Sequence, residues 1–221
     1  VRPLLSVVVP TLDEEAQVAG AVRSALDGAD EVIVVDGGSR DRTMAVAREA
    51  GARTFLGPRG RGPQLHAGAR RAGGEWLVFL HADTRLQGGW AEEVRSVEGA
   101  VGGAFRFAVE APGLAFRCLE TAVALRCRLF GLPYGDQALF VRRQAYDRAG
   151  GFPPYPLMED VSLVRRLSGL GRLVFLSHRA YTSPRRWRRH GILRTTLRNV
   201  WLLARFTCGE PPERLARGYE R

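Results

Sequence analysis

Apolar runs alternate with amphipathic stretches through the first hundred positions. LLSVVVP (4–10), EVIVVDGGS (31–39), ARTFL (52–56) and EWLVFLHAD (75–83) read as strands, most of them ending in polar residues. Between them, 13–26, 41–51 and 64–74 carry helical spacing, the first with acids in its opening turn. Near-continuous apolar strands separated by helices predict a mainly parallel sheet covered on both faces. In such sheets ligands lie beyond the carboxyl ends of the strands. Three of those ends read PTLDEE, DGGSRD and HADT, which is more polarity than turns alone require.

The rhythm changes after residue 100. The pattern predicts strands over 102–110, 136–143 and 172–176, and helices over 113–132, 159–171 and 191–207. There is no internal repeat, low-complexity tract or obvious linker, so one compact domain spans 1–221. Its first hundred residues form the nucleotide-type half, and 101–221 form the second-substrate half.

With 45% hydrophobic residues in 221, the chain can bury a core. It lacks the run of about 18 apolar residues that a membrane span needs. Its opening, VRPLLSVVVPTLDEE, does not have the architecture of a cleavable signal. A cytoplasmic protein, free or at the inner membrane surface, is expected. Cys118, Cys127 and Cys208 are odd in number and form no CxxC pair, which argues for free buried thiols over disulfides or structural zinc.

All 33 basic residues are Arg, and the net charge is +10. Residues 179–221 hold eleven Arg against three Glu, so most of the excess is at one end. Such a surface suits phosphate-bearing substrates, anionic lipid or nucleic acid. The tail carries few aromatics for base stacking, so no nucleic acid partner is expected.

The position where a dinucleotide-binding fold carries GxGxxG holds Pro10-Thr11-Leu12-Asp13-Glu14, and a chain without Lys has no Walker lysine. Bound phosphate must be met by Arg, by backbone N–H groups or by a metal held on carboxylates. SVVVPTLDEE, VIVVDGGSRDRT, FLHADT, YGDQALFVRR, GGF, PLMEDVSLVRRL and TSPRRW follow one another from about residue 5 to 207. In that order they resemble family 2 glycosyltransferases, most closely the small bacterial arsenosugar-biosynthesis-type branch. The resemblance implies an α/β GT-A fold: a Rossmann-like nucleotide-diphospho-sugar transferase, built as a three-layer sandwich with a mostly parallel central sheet. It also implies inverting transfer of a sugar from a UDP- or GDP-linked donor to an acceptor hydroxyl, with Mn2+ or Mg2+ stabilising the leaving diphosphate.

By the same resemblance, Pro10, Thr11, Glu14, Asp36, Arg61, Ala82 and Asp83 would line the nucleotide, and Asp83 would reach the metal. His81 stands where relatives carry a first acid; it is a tentative second ligand, or a hydrogen-bond partner for ribose or phosphate. His178 is a weaker ligand candidate. Gly135, Asp136, Gln137, Arg186 and Trp187 would line the sugar and acceptor sites. Of the acid pair Glu159-Asp160, Asp160 would be the general base, since adjacent helical residues face different ways.

Plainer readings stand beside these. Asp36 forms a turn before Gly37-Gly38, and Asp41 caps a helix. YGDQ is a turn, and the acid pair complements a helix dipole. In 191–207, Arg194, Arg198, Trp201 and Arg205 form one stripe beside Leu193, Leu197, Val200, Leu203 and Ala204. A core helix with a solvated Arg face is the simpler account; peripheral membrane contact or a homodimer is the other. The acceptor stays open, and a lipid-linked one would suit the basic tail. The alternative to an enzyme is a non-catalytic module that binds a nucleotide sugar or an anionic surface.

Overall fold

The computed structural model describes residues 2–219. Strands β1 (Leu5–Thr11), β2 (Glu31–Asp36), β3 (Arg53–Leu56) and β4 (Trp76–Phe79) alternate with helices α1 (Val18–Leu26), α2 (Thr43–Glu49) and α3 (Arg61–Ala69). β1 lies between β2 and β4, β3 flanks β2, and all three pairings are parallel. Then follow β5 (Thr84–Leu86), α4 (Trp90–Arg95), β6 (Gly102–Val109) and α5 (Leu114–Phe130). A 3-10 turn (Gly135–Gln137), β7 (Leu139–Arg142), α6 (Arg143–Arg148), α7 (Glu159–Ser168) and β8 (Leu173–Thr182) come next. The chain closes with α8 (Arg185–His190), α9 (Ile192–Thr207) and α10 (Pro212–Tyr219).

The eight strands form one sheet in the order β3-β2-β1-β4-β7-β6-β8-β5. β7 enters antiparallel between β4 and β6, and β5 pairs antiparallel with β8, so the sheet is mixed beyond β4. Strand alternation divides the core. Val7, Val9, Val34 and Val78 face α1, α2 and α4, while Val8, Ile33, Val35 and Phe79 face α3, α6 and α7. Both faces are dry, as the apolar runs require. A third cluster fastens α5 and α8 to the C-terminal part of β6, around Phe107, Val109, Val123, Cys127 and Trp187.

Several boundaries differ from the sequence pattern. Residues 13–17 are loop rather than helix, because the first acids accept hydrogen bonds across to the β2–α2 connection: Asp13 Oδ1 from Arg40 N (2.8 Å) and Glu15 Oε2 from Arg42 N (3.0 Å). β4 stops at Phe79, and His81–Thr84 is a tight turn closed by Thr84 N donating to His81 O (3.1 Å). β8 is twice the expected length. It carries two extra residues opposite β6, where Ala104 pairs with Phe175 and Arg106 with Arg179. Only Cys127 of the three free thiols is buried.

Candidate active site

The polar strand ends converge as the pattern predicts, and much of their chemistry is consumed in holding the loops. Asp36 is buried; Oδ1 accepts from Gly38 N (2.9 Å) and Ser39 N (2.8 Å), and Oδ2 accepts from the hydroxyls of Thr11 and Ser39. Those donors hold its carboxyl below the ordinary range against the opposing effect of burial, which is the largest single influence. The turn-forming reading of Asp36 therefore fits its geometry, and its carboxylate is occupied where a nucleobase contact was expected. Thr11 is engaged with it, Pro10 sits in the buried strand, and Gln64 Nε2 donates to Thr11 O (2.7 Å) and Val35 O (2.9 Å), locking β1 to β2.

The His81–Thr84 turn sends its two functional side chains in different directions. Asp83 pairs with Arg185, whose Nε donates to Oδ2 at 3.2 Å. The same guanidinium forks onto Glu14, with Nη1 donating to Oε2 at 2.7 Å. One cation thus bridges the acids at the ends of β1 and β4. Ser183 N donates to Asp83 O (3.0 Å), which keeps the start of α8 beside this turn. His81 turns toward Asp160: a Cβ on Gly135 would lie 3.0 Å from His81 Nε2 and 3.1 Å from Asp160 Oδ2. Enclosure, followed by Arg61, Arg186 and Arg185, pushes the His81 pKa well below its usual value, so the ring is neutral at pH 7.

A cavity lies beside this turn, lined by Arg61, His81, Tyr134, Asp136, Asp160 and Arg186, with Leu157, Met158, Val161, Asn199 and Leu202. Asp160 opens α7; its Oδ2 accepts from Gly135 N (2.7 Å) and its Oδ1 from Val161 N (2.8 Å). Asp136 leaves Oδ1 buried without a hydrogen-bond partner. Burial raises its pKa, Asp160 adds to the rise, and Arg126, Arg186 and Arg61 oppose it. Among the described residues three non-glycines have positive φ: Met158 (65°) in the cavity wall, Ala138 (48°) two positions past Asp136, and Asp13 (53°) beside Glu14. Backbone held at positive φ costs energy and gathers where function over-determines the geometry.

Four of the expected site residues take other positions. Glu159 does not line the cavity: it is buried and ion-pairs Arg61, which fixes that guanidinium at the rim. Burial, with Asp160 next to it, raises its pKa against the pull of Arg61. Gln137 is a buried bracket; Oε1 accepts from Arg126 Nη2 (3.0 Å) and Tyr134 N (3.3 Å), and Nε2 donates to Phe105 O (3.3 Å). Trp187 is buried edge-on against Phe107 (5.8 Å between centroids), so it anchors α8 instead of walling an acceptor site. His178 sits in the extra residues of β8, where Nδ1 meets Glu93 Oε2 at 2.6 Å. It lies four residues before the end of β8 that adjoins Asp83, roughly 13 Å at strand rise. The bulge turns it to α4, away from any shared ion.

Arg185 is the residue that sequence reasoning missed. Its neighbours in SPRRWRR supplied the clue only in part: burying Trp187 forces the flanking arginines outward, but the pairing with Glu14 crosses 171 positions.

Among the described residues no three His, Cys, Asp or Glu side chains form a metal cage. A single carboxylate is nevertheless suited to Mg2+ or Mn2+ carried mainly by substrate phosphate oxygens, with the Arg185 guanidinium giving up its 3.2 Å contact to the ion. Asp83 fits that role; a resident all-protein metal centre does not fit.

Residues 6–96 match the family model described as Glycosyl transferase family 2. An uncharacterized glycosyltransferase of Rickettsia felis is 31% identical over 94 residues, 42% of this chain and 33% of the relative. Its counterpart in Rickettsia typhi matches at 31% over 94 residues, 42% of this chain and 32% of the relative. The match spans about a third of the length of these curated relatives. Among solved structures, Mycobacterium tuberculosis glucosyl-3-phosphoglycerate synthase, in complex with Mn2+, UDP and phosphoglyceric acid, superposes with a TM-score of 0.63 at 22% identity, covering 95% of this chain and 80% of that one. A Pyrobaculum calidifontis mannosyltransferase with GDP-mannose and Mn2+ gives 0.60 at 20% identity, covering 80% and 55%. At these identities the likeness establishes the shared α/β fold.

Proposed function

We propose that this chain, whose residues 6–96 match the glycosyl transferase family 2 model, is an inverting sugar transferase that uses a nucleoside-diphosphate donor. The observation that carries this reading is the convergence of Asp160, Asp136, neutral His81, Arg61 and Arg186 on one cavity beside Asp83. The donor diphosphate lies past the ends of β1, β2 and β4, with Arg61 and Arg186 directed at its charge. Asp83 would hold a divalent cation, which when bound neutralises the charge of the leaving diphosphate.

In the transfer step Asp160 accepts the acceptor hydroxyl proton. The acceptor oxygen bonds to the anomeric carbon from the face opposite the departing phosphate oxygen. The carbon–phosphate-oxygen bond breaks, and its electron pair leaves with the nucleoside diphosphate. Gly135 N–H and Val161 N–H fix the Asp160 carboxylate, leaving lone pairs for the incoming proton. A Cβ on Gly135 would crowd both His81 and Asp160 and require them to shift by a few tenths of an ångström. The complexes of the similar folds, with UDP in one and GDP-mannose in the other, support a nucleotide-sugar donor without choosing its base.

A hydrolysis and transfer panel of UDP- and GDP-sugars, with Mn2+, Mg2+ or chelator, tests this. The expected result is turnover of one donor class that chelation abolishes. No turnover of any donor and no nucleotide binding would overturn it.

A further inference from the structure

The sequence leaves α9 as a core helix with a solvated arginine face; Arg194 is exposed as expected, but the apolar stripe expected in the core is exposed too. Thr195 and Leu202 point inward, while Leu193, Leu197 and Trp201 point out, each more than half exposed. α5, which touches α9, likewise exposes Leu125, Leu129 and Phe130. Scattered exposed leucines need no explanation; two adjacent helices with their large apolar side chains in solvent do. Segment 185–209 contains seven Arg and no Asp or Glu, and Arg188, Arg189 and Arg194 are exposed beside the apolar stripe.

We infer that the outward faces of α5 and α9 dock the protein onto an anionic phospholipid bilayer, with α9 lying in the interface plane. An apolar stripe with a tryptophan, flanked by arginines, is what binds acyl chains and anionic headgroups together. A second copy is the less fitting occupant. A two-fold contact sets the same surface against itself, and this one would oppose arginines with no carboxylate in the segment to meet them. Among the described residues no helix is long and apolar enough to cross a membrane, so the contact is peripheral. Asn199 and Leu202 of α9 also line the cavity, so docking brings that wall to the headgroup layer. The inference does not depend on the proposed transfer reaction.

Co-sedimentation of the full chain tests it, using vesicles of phosphatidylcholine alone and of equal parts phosphatidylcholine and phosphatidylglycerol. Binding to the anionic vesicles only is expected. It should fall about tenfold both in a Leu193→Ser/Leu197→Ser/Trp201→Ser variant and in an Arg188→Gln/Arg189→Gln/Arg194→Gln variant. Circular dichroism melts of both variants should match the parent, since every changed side chain is exposed. Binding that survives the serine substitutions would overturn the inference. So would the absence of vesicle binding, whether the chain is monomeric or forms a dimer that those substitutions dissociate.

Discussion

Asp160 is held by two backbone N–H donors at the mouth of α7, a geometry that fixes the carboxylate and leaves lone pairs on both oxygens. Asp160→Asn removes the proton acceptor, so turnover should fall about 10²–10⁴-fold with donor affinity retained, and its NH2 group, facing one of the two N–H donors, should lower the melting temperature modestly. Gly135→Ala should also lose activity, because the added methyl meets His81 Nε2 and Asp160 Oδ2 directly. Asp136 makes a separate prediction about pH. Burial raises its pKa above 3.8, so the native state binds that proton more tightly than the unfolded chain. Its contribution to stability is full below pH 3.8 and is lost as pH rises through the raised native value. Asp136→Asn should therefore flatten that part of the pH–stability curve, read by melts across acidic to neutral pH. At this scale the sequence singled out Asp83 and Asp160, which the structure places against Arg185 and in the wall of the cavity. It was misleading for Asp36, Glu159 and Gln137, because a carboxylate or amide spent on a turn or an internal pair has the same letter as one facing substrate.

Single elements show where pattern succeeds and where it stops. The buried strands β1, β2 and β4 were plain from their apolar runs, and α3 from its spacing. Gly68 in α3 has a role that only packing reveals: a Cβ there would lie 2.3 Å from Val8 Cγ1 and 2.9 Å from Val35 Cγ2. Gly68→Ala should cost about 1–3 kcal/mol in denaturant melts by forcing α3 off the sheet. Short helices α4 and α6 escaped the sequence pattern because one or two turns carry too little periodicity. The bulge in β8 escaped it because register is a property of two strands. Trp187 distinguishes the readings of α8. As a buried anchor, Trp187→Ala should lose about 3–5 kcal/mol of stability and release Arg185 and Arg186. As an acceptor wall it would raise the acceptor KM and leave the melt unchanged.

Across the whole molecule, alternating strand and helix signals were enough for a layered α/β fold, and the polar strand ends pointed to the region where the candidate cavity lies. The antiparallel insertion of β7 was not legible, since a strand's apolar run carries no direction. Nor was the junction of the two halves, where Arg185 from the basic tail reaches Glu14 and Asp83 at the ends of β1 and β4. The outward apolar face of α9 could not be read from spacing because two stripes competed, and only burial chose between them. The central claim is that the Asp160 cavity performs sugar transfer with Asp160 taking the proton. Comparing steady-state transfer by the parent and by Asp160→Asn, at saturating donor and matched folded fraction, tests it most directly. The account predicts loss of kcat with donor binding retained; near-parental kcat in the variant would contradict it.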